Sequence, residues 1–146
     1  MLTTPPITEV AGHLRLVVAR TARRLRQEAG ADLSPSLSSA LAAIERHGPV
    51  TPSELADHER VQRPTATRVI ARLEELGLVE RAADPADRRS CLITASAEGR
   101  TLLRRQRSRK NQFLARRLAV LDPDEVATLE RAAAILERML DEEGRP

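Results

Sequence analysis

Val10, Leu14, Val17, Thr21 and Leu25 recur at spacings of three and four. This periodicity predicts an amphipathic helix capped by Thr8, running to about Ala29 and ended by Gly30. Ser34-Pro35 opens a second helix, with proline suited to the first helical position. Leu37, Leu41 and Ile44 line its inner face, and Gly48-Pro49 ends it. Thr51-Pro52-Ser53-Glu54 is a capping box that starts a short third helix, with Leu55 and Ala56 turned inward. Pro64 holds Arg63 away from helical geometry, which marks the start of a fourth helix. That helix is expected to reach about Leu76, with Gly77 as its stop. Ala66, Val69, Ile70, Leu73 and Leu76 fall on one side of its wheel. Pro64, Thr67, Arg68, Ala71, Arg72 and Glu75 fall on the other.

The pattern then changes period. Leu78-Val79-Glu80-Arg81 and Cys91-Leu92-Ile93-Thr94 alternate as strands do, around a turn-rich tip, Asp84-Pro85-Ala86-Asp87-Arg88-Arg89. Ser96 or Thr94 caps a long helix to about Val120, with Glu98 in its first turn. Asp122-Pro123-Asp124-Glu125 starts another, striped by Val126, Leu129, Ala133, Leu136 and Leu140. The order predicts a mainly α, α+β protein: a winged helix-turn-helix head with long N- and C-terminal helices forming a dimerisation bundle. Residues 33–96 make the head, and residues 1–32 and 97–146 make the bundle. The terminal stripes have little to bury against within one chain, and a bundle shared by two copies covers them. A monomer whose first and last helices pack together is the competing arrangement.

Composition narrows the function. The 146-residue chain carries a net charge of +3, and its one lysine is Lys110, so arginine supplies nearly all the positive charge. Arginine suits bidentate contacts to phosphate and guanine, although a GC-rich genome writes the same bias. Phe113 is the only aromatic residue, which argues against stacking platforms for single-stranded nucleic acid. Cys91 is the only cysteine, so an intrachain disulfide is excluded. The first ten residues lack the pattern of a signal peptide, and no apolar run reaches the roughly 20 residues of a membrane span. A cytoplasmic protein without membrane contact is the expectation.

The candidate chemistry concentrates in the head. Gln62, Arg63, Pro64, Thr65, Thr67, Arg68 and Arg72 are placed to enter a major groove of double-stranded DNA. Arg68 suits guanine and Gln62 suits adenine, while Thr65 and Thr67 suit phosphate or a thymine methyl. A solvated helix face has the same composition. Asp87, Arg88 and Arg89 form a wing tip for a minor groove, with Asp87 expected to clamp one arginine by a bidentate pair. Thr51 and Ser53, beside a helix N-terminus, suit phosphate. The basic run Arg100, Arg104, Arg105, Arg107, Arg109 and Lys110 reads as a solvated helix face. His13, His47 and His58 lack metal-ligand spacing with one another. With no glycine-rich phosphate loop and no nucleophile signature, neither an enzyme nor a cofactor is implied.

The chain resembles the MarR family of bacterial transcription regulators, from about Thr8 to Glu143. Leu73-Glu74-Glu75-Leu76-Gly77-Leu78-Val79-Glu80-Arg81, followed by Asp87-Arg88-Arg89-Ser90, carries the likeness. The resemblance implies a homodimer on a palindromic operator, a repressor role, and weakening of DNA binding by a small ligand or an oxidant. Two departures stand out. Gln62-Arg63 replaces the usual helix cap, and the only cysteine lies in a wing strand, unlike the N-terminal cysteine of peroxide sensors. An effector pocket is expected between head and bundle, where His13, Arg20 and Arg24 either face a ligand carboxylate or lie on the surface. With so few aromatics, its lining would be aliphatic and its ligand lipophilic. A winged-helix protein–protein module without DNA binding is the alternative function.

Overall fold

A computed structural model describes residues 3–141. Among the described residues, six helices and two strands follow in the order α1 (Ile7–Ala29), α2 (Pro35–His47), α3 (Pro52–Glu59), α4 (Arg63–Glu75), β1 (Val79–Ala83), β2 (Cys91–Ala95), α5 (Ala97–Leu118) and α6 (Pro123–Asp141). The chain divides into two compact units, residues 1–110 and 111–146. The first holds α1 through most of α5, and the second holds the end of α5 with α6.

Local chemistry sets most helix starts. The Ser34 hydroxyl accepts the Leu37 N–H at 3.4 Å, and the Thr51 hydroxyl accepts the Glu54 N–H at 3.2 Å. Proline follows each cap, where its missing N–H costs nothing. The first helix departs from expectation. Pro6, not Thr8, stands at its N-cap, and no side chain caps it. The Pro6 carbonyl already accepts the Glu9 and Val10 N–H groups, so the helix begins two residues earlier than a Thr8 cap would set it.

In the first unit, the core joins Leu41 and Ile44 of α2 and Leu55 of α3 to Ile70 and Leu73 of α4. Val79, Ile93, Leu102 and Leu103 complete it from the wing strands and α5. Leu76 departs from the inward face expected of it and is 39% exposed. The helix has ended at Glu75 and Leu76 is its C-cap, so the wheel no longer governs its direction. Gly77 follows with φ 73°, a left-handed turn that glycine adopts without strain.

β1 and β2 pair antiparallel, with Val79 opposite Ala95 and Ala83 opposite Cys91. Val50 adds a third, one-residue rung by exchanging both backbone hydrogen bonds with Ile93, at 3.1 and 2.7 Å. This rung anchors the wing to the α2–α3 connection. Ser96 caps α5: its hydroxyl accepts the Gly99 N–H at 3.0 Å and donates to the Gly77 carbonyl at 2.7 Å. Gly99 lets α5 approach the wing root, because a β-carbon there would collide with the Leu78 carbonyl oxygen.

Two helices keep apolar surface uncovered in the single chain. Val10, Leu14, Val17 and Val18 of α1 are exposed, as are Val126, Leu129, Ile135 and Met139 of α6. No residue of α6 is buried.

Candidate nucleic-acid interface

The α3–turn–α4 unit presents one face of α4 to solvent. Ala66, Ile70 and Leu73 are buried, which turns Gln62, Arg63, Pro64, Thr67, Arg68 and Arg72 outward, while Thr65 is half-buried. The turn into α4 pivots on Arg60, whose φ of 53° is left-handed, and the Arg60 N–H caps α3 on Ala56 and Asp57. Gln62 stands at the N-cap of α4 with its side chain unused as a cap, so its amide is available for other bonds. Two arginines on this face are pre-set. Arg68 donates to the Thr65 hydroxyl at 3.4 Å, and Arg72 pairs with Glu75 at 3.1 Å. The Thr67 hydroxyl donates to the Arg63 carbonyl at 3.0 Å and keeps its acceptor lone pairs. Thr51 is half-buried at the start of α3 as its cap, and Ser53 is exposed one residue beyond Pro52.

The wing tip is built by its acids and armed by its arginines. The Asp84 carboxylate accepts the Ala86 N–H at 3.0 Å, and the Asp87 carboxylate accepts the Arg89 N–H at 2.9 Å. Both are local Asx bonds that define a turn. Asp87 is thus spent on backbone, and among the described residues it forms no ion pair with an arginine. The expected bidentate clamp is absent because a backbone donor two residues on lies within easier reach. Arg88 and Arg89 are exposed, with side chains held by no ion pair among the described residues.

One connection between α4 and the wing has no signal in the sequence periodicity. Arg81 of β1 donates to Glu74 of α4 at 2.9 Å and to the Cys91 sulfur of β2 at 3.2 Å. The hydrogen bond with Glu74 holds the Arg81 pKa above its ordinary value. Arg81 therefore couples the end of α4 to both wing strands. Both Glu74 and Arg81 stand in the segment that carried the family resemblance, seven residues apart across a turn, a spacing no helix or strand period would flag.

Residues 33–91 match the MarR family. An uncharacterised HTH-type transcriptional regulator of Mycobacterium bovis is 39% identical over 91% of this chain and 94% of its own length. The chain belongs to the MarR family. The solved structure of a candidate transcriptional regulator from Pseudomonas aeruginosa is 37% identical, with a TM-score of 0.82 over 93% of this chain and 98% of its own. The HTH-type transcriptional repressor NicR of Pseudomonas putida is 31% identical over 66% of this chain and 63% of its own length. The protein is a DNA-binding transcription regulator and not an enzyme.

In this MarR-family regulator a wide cleft of about 950 Å³ lies between the end of α1, α2 and α5. Arg23, Arg26, Arg107 and Lys110 give it positive charge, while Leu33, Ala42 and Leu103 give it aliphatic surface. His13 and Arg20 are exposed on α1, and Arg24 pairs with Glu28 at 2.8 Å. None of these three lines the cleft, whose α1 cations are the neighbours Arg23 and Arg26. The helical wheel turns Arg24 about 100° away from Arg23, and His13 and Arg20 lie nearer the start of α1 than the cleft reaches. Part of the α5 basic run is structural. Arg107 grips Glu45 of α2 with two bonds, of 3.3 and 3.0 Å, and Arg109 bonds the Ala29 carbonyl at 2.8 Å and Asp32 at 3.1 Å. Among the described residues no helix is long and apolar enough to cross a membrane, and no cluster of side chains suits a metal ion.

Proposed function

We propose that this regulator is a cytoplasmic homodimeric repressor of a palindromic operator, released by a lipophilic anionic effector. The observation that carries the reading is the exposed α4 face beside a wing whose two tip arginines form no ion pair among the described residues. Gln62, Arg63, Pro64, Thr65, Thr67, Arg68 and Arg72 enter the major groove, with Arg68 directed at guanine. Arg88 and Arg89 enter the flanking minor groove, in a turn shaped by Asp87. Thr51 and Ser53 meet phosphate at the start of α3.

Residues 33–96 form the DNA-reading head, while residues 1–32 and 97–146 join two copies. The uncovered stripes of α1 and α6 support this division, because such surface is stabilised only when a partner buries it. A two-fold dimer sets two recognition helices on one face of the duplex, which calls for a palindrome. The cationic, aliphatic-lined cleft supports an effector with an apolar body and an acidic group. The similarity to NicR of P. putida, a transcriptional repressor, supports repression.

Sedimentation and fluorescence anisotropy test the reading together. The 16.1 kDa chain should sediment as a dimer at micromolar concentration. Leu129→Glu with Leu136→Glu should dissociate or unfold it, since burying two unpaired carboxylates costs on the order of several kcal/mol. DNA affinity should fall steeply with salt through counterion release. Arg68→Ala should cost roughly 1–3 kcal/mol on the preferred site and relax base preference there. A stable folded monomer, or salt-insensitive binding, would overturn the reading.

A further inference from the structure

We infer that the helix-turn-helix head holds a second small-molecule site, for a compact apolar body bearing an amidinium or ammonium group. A cavity of about 150 Å³ lies among α2, α3 and α4. Ala40, Leu55, Ala66 and Val69 give it apolar walls, and Ser39 and Glu59 give it polar groups. The volume matches an engineered cavity that holds benzene. Its body is therefore about the size of one six-membered ring.

The charge follows from Glu59. It lies four residues after the buried Leu55, so the helix turns both toward the same side. Ser39 donates to Glu59 Oε2 at 3.1 Å. Oε1 is closed off from solvent and has no hydrogen-bond partner among the described residues. A buried acceptor without a donor is costly, and the carboxylate keeps acceptor capacity on Oε2 beside the Ser39 bond. A cationic donor satisfies it best, because charge-assisted hydrogen bonds are roughly twice as strong as neutral ones. An anion is repelled by Glu59, whereas the wide cleft, lined by Arg23, Arg26, Arg107 and Lys110, attracts one. The two concavities thus select ligands of opposite charge. The smaller one has walls from all three helices that seat α4, so its occupancy bears on the pose of the recognition helix.

Benzamidine is the probe, titrated into the full-length protein and followed by amide resonances in two-dimensional NMR. Saturable shifts should appear at Glu59, Val61 and Ala66. Glu59→Gln, which keeps volume and a hydrogen-bonding side chain, should weaken binding by at least about tenfold. Benzyl alcohol, the neutral analogue, should bind at least about tenfold more weakly than benzamidine to the parent. Val69→Met, which extends a wall into the cavity while leaving Glu59 in place, should abolish the shifts. The site is refuted if these amides show no saturable shift, or if benzyl alcohol or Glu59→Gln matches the benzamidine affinity of the parent. It is equally refuted if a folded Val69→Met protein binds as the parent does. No DNA is present in the measurement, so failure here leaves the operator-binding reading untouched.

Discussion

Ser96 joins three parts of the head through one hydroxyl group, and its removal has a calculable cost. The residue is 7% exposed. Its Oγ accepts the Gly99 N–H in the first turn of α5 and donates to the Gly77 carbonyl at the end of α4. Its backbone N–H donates to the Leu78 carbonyl at 2.9 Å, a bond that alanine would keep. In Ser96→Ala the lost cap contributes about 1 kcal/mol. The lost bond to Gly77 contributes about 1 kcal/mol more. Gly99 is buried, so its orphaned N–H cannot recover its bond from solvent. Gly77 is exposed, and water restores part of its carbonyl's loss, which keeps the total near 2 kcal/mol rather than above it. For a chain of this length that corresponds to about 4–8 °C in Tm. Urea unfolding at one fixed chain concentration is the assay, since dimerisation makes apparent stability depend on concentration. The midpoint should fall with an unchanged slope. Thr94→Ala is the control: Thr94 is half-buried on β2 and caps nothing, so its loss should stay within about 0.5 kcal/mol. Equal losses for the two variants, or a Ser96→Ala loss below about 0.5 kcal/mol, would refute the reasoning.

Arg89→Ala should leave fold and dimer intact and weaken operator binding at least about tenfold, or roughly 1.4 kcal/mol. The loss should be larger over A·T-rich than G·C-rich flanks, as anisotropy on paired duplexes would show. Gly99→Ala should destabilise the head by at least about 1 kcal/mol in the same urea assay, because the new methyl group meets the rigid Leu78 carbonyl. Asp122 accepts the Glu125 N–H at 2.9 Å, which lowers its pKa below the ordinary carboxylate value. Its contribution is therefore fully present above the unfolded-state pKa and is lost as pH falls through the lowered folded-state value. Asp122→Asn should be less stable than the parent at neutral pH, and the difference should close under acid in parallel thermal melts.

The elements that a short stretch of chain can specify were legible without coordinates. Ser34-Pro35 and Thr51-Pro52 announce helix starts because cap and proline act within three residues. Asp84-Pro85 and Asp87 announce a wing turn for the same reason. The outward arginine of α4 followed from periodicity alone, once Ala66, Ile70 and Leu73 claimed the inner face. Tertiary structure decided what depends on partners distant in sequence. The Val50–Ile93 rung, the Arg81–Glu74 pair and the seating of Gly99 against Leu78 involve separations that no local propensity encodes. Asp87 shows the same division at close range: the residue type announced a carboxylate at the tip, but only the folded turn brought the Arg89 N–H within 2.9 Å of it. The cleft cations on α1 are Arg23 and Arg26 rather than Arg20 and Arg24, because which face of α1 borders the cleft depends on where α2 and α5 lie. Glu59 is the plainest case. No local pattern singled it out, and only the packing of α2, α3 and α4 set its carboxylate beside a cavity, with one oxygen unpaired among the described residues.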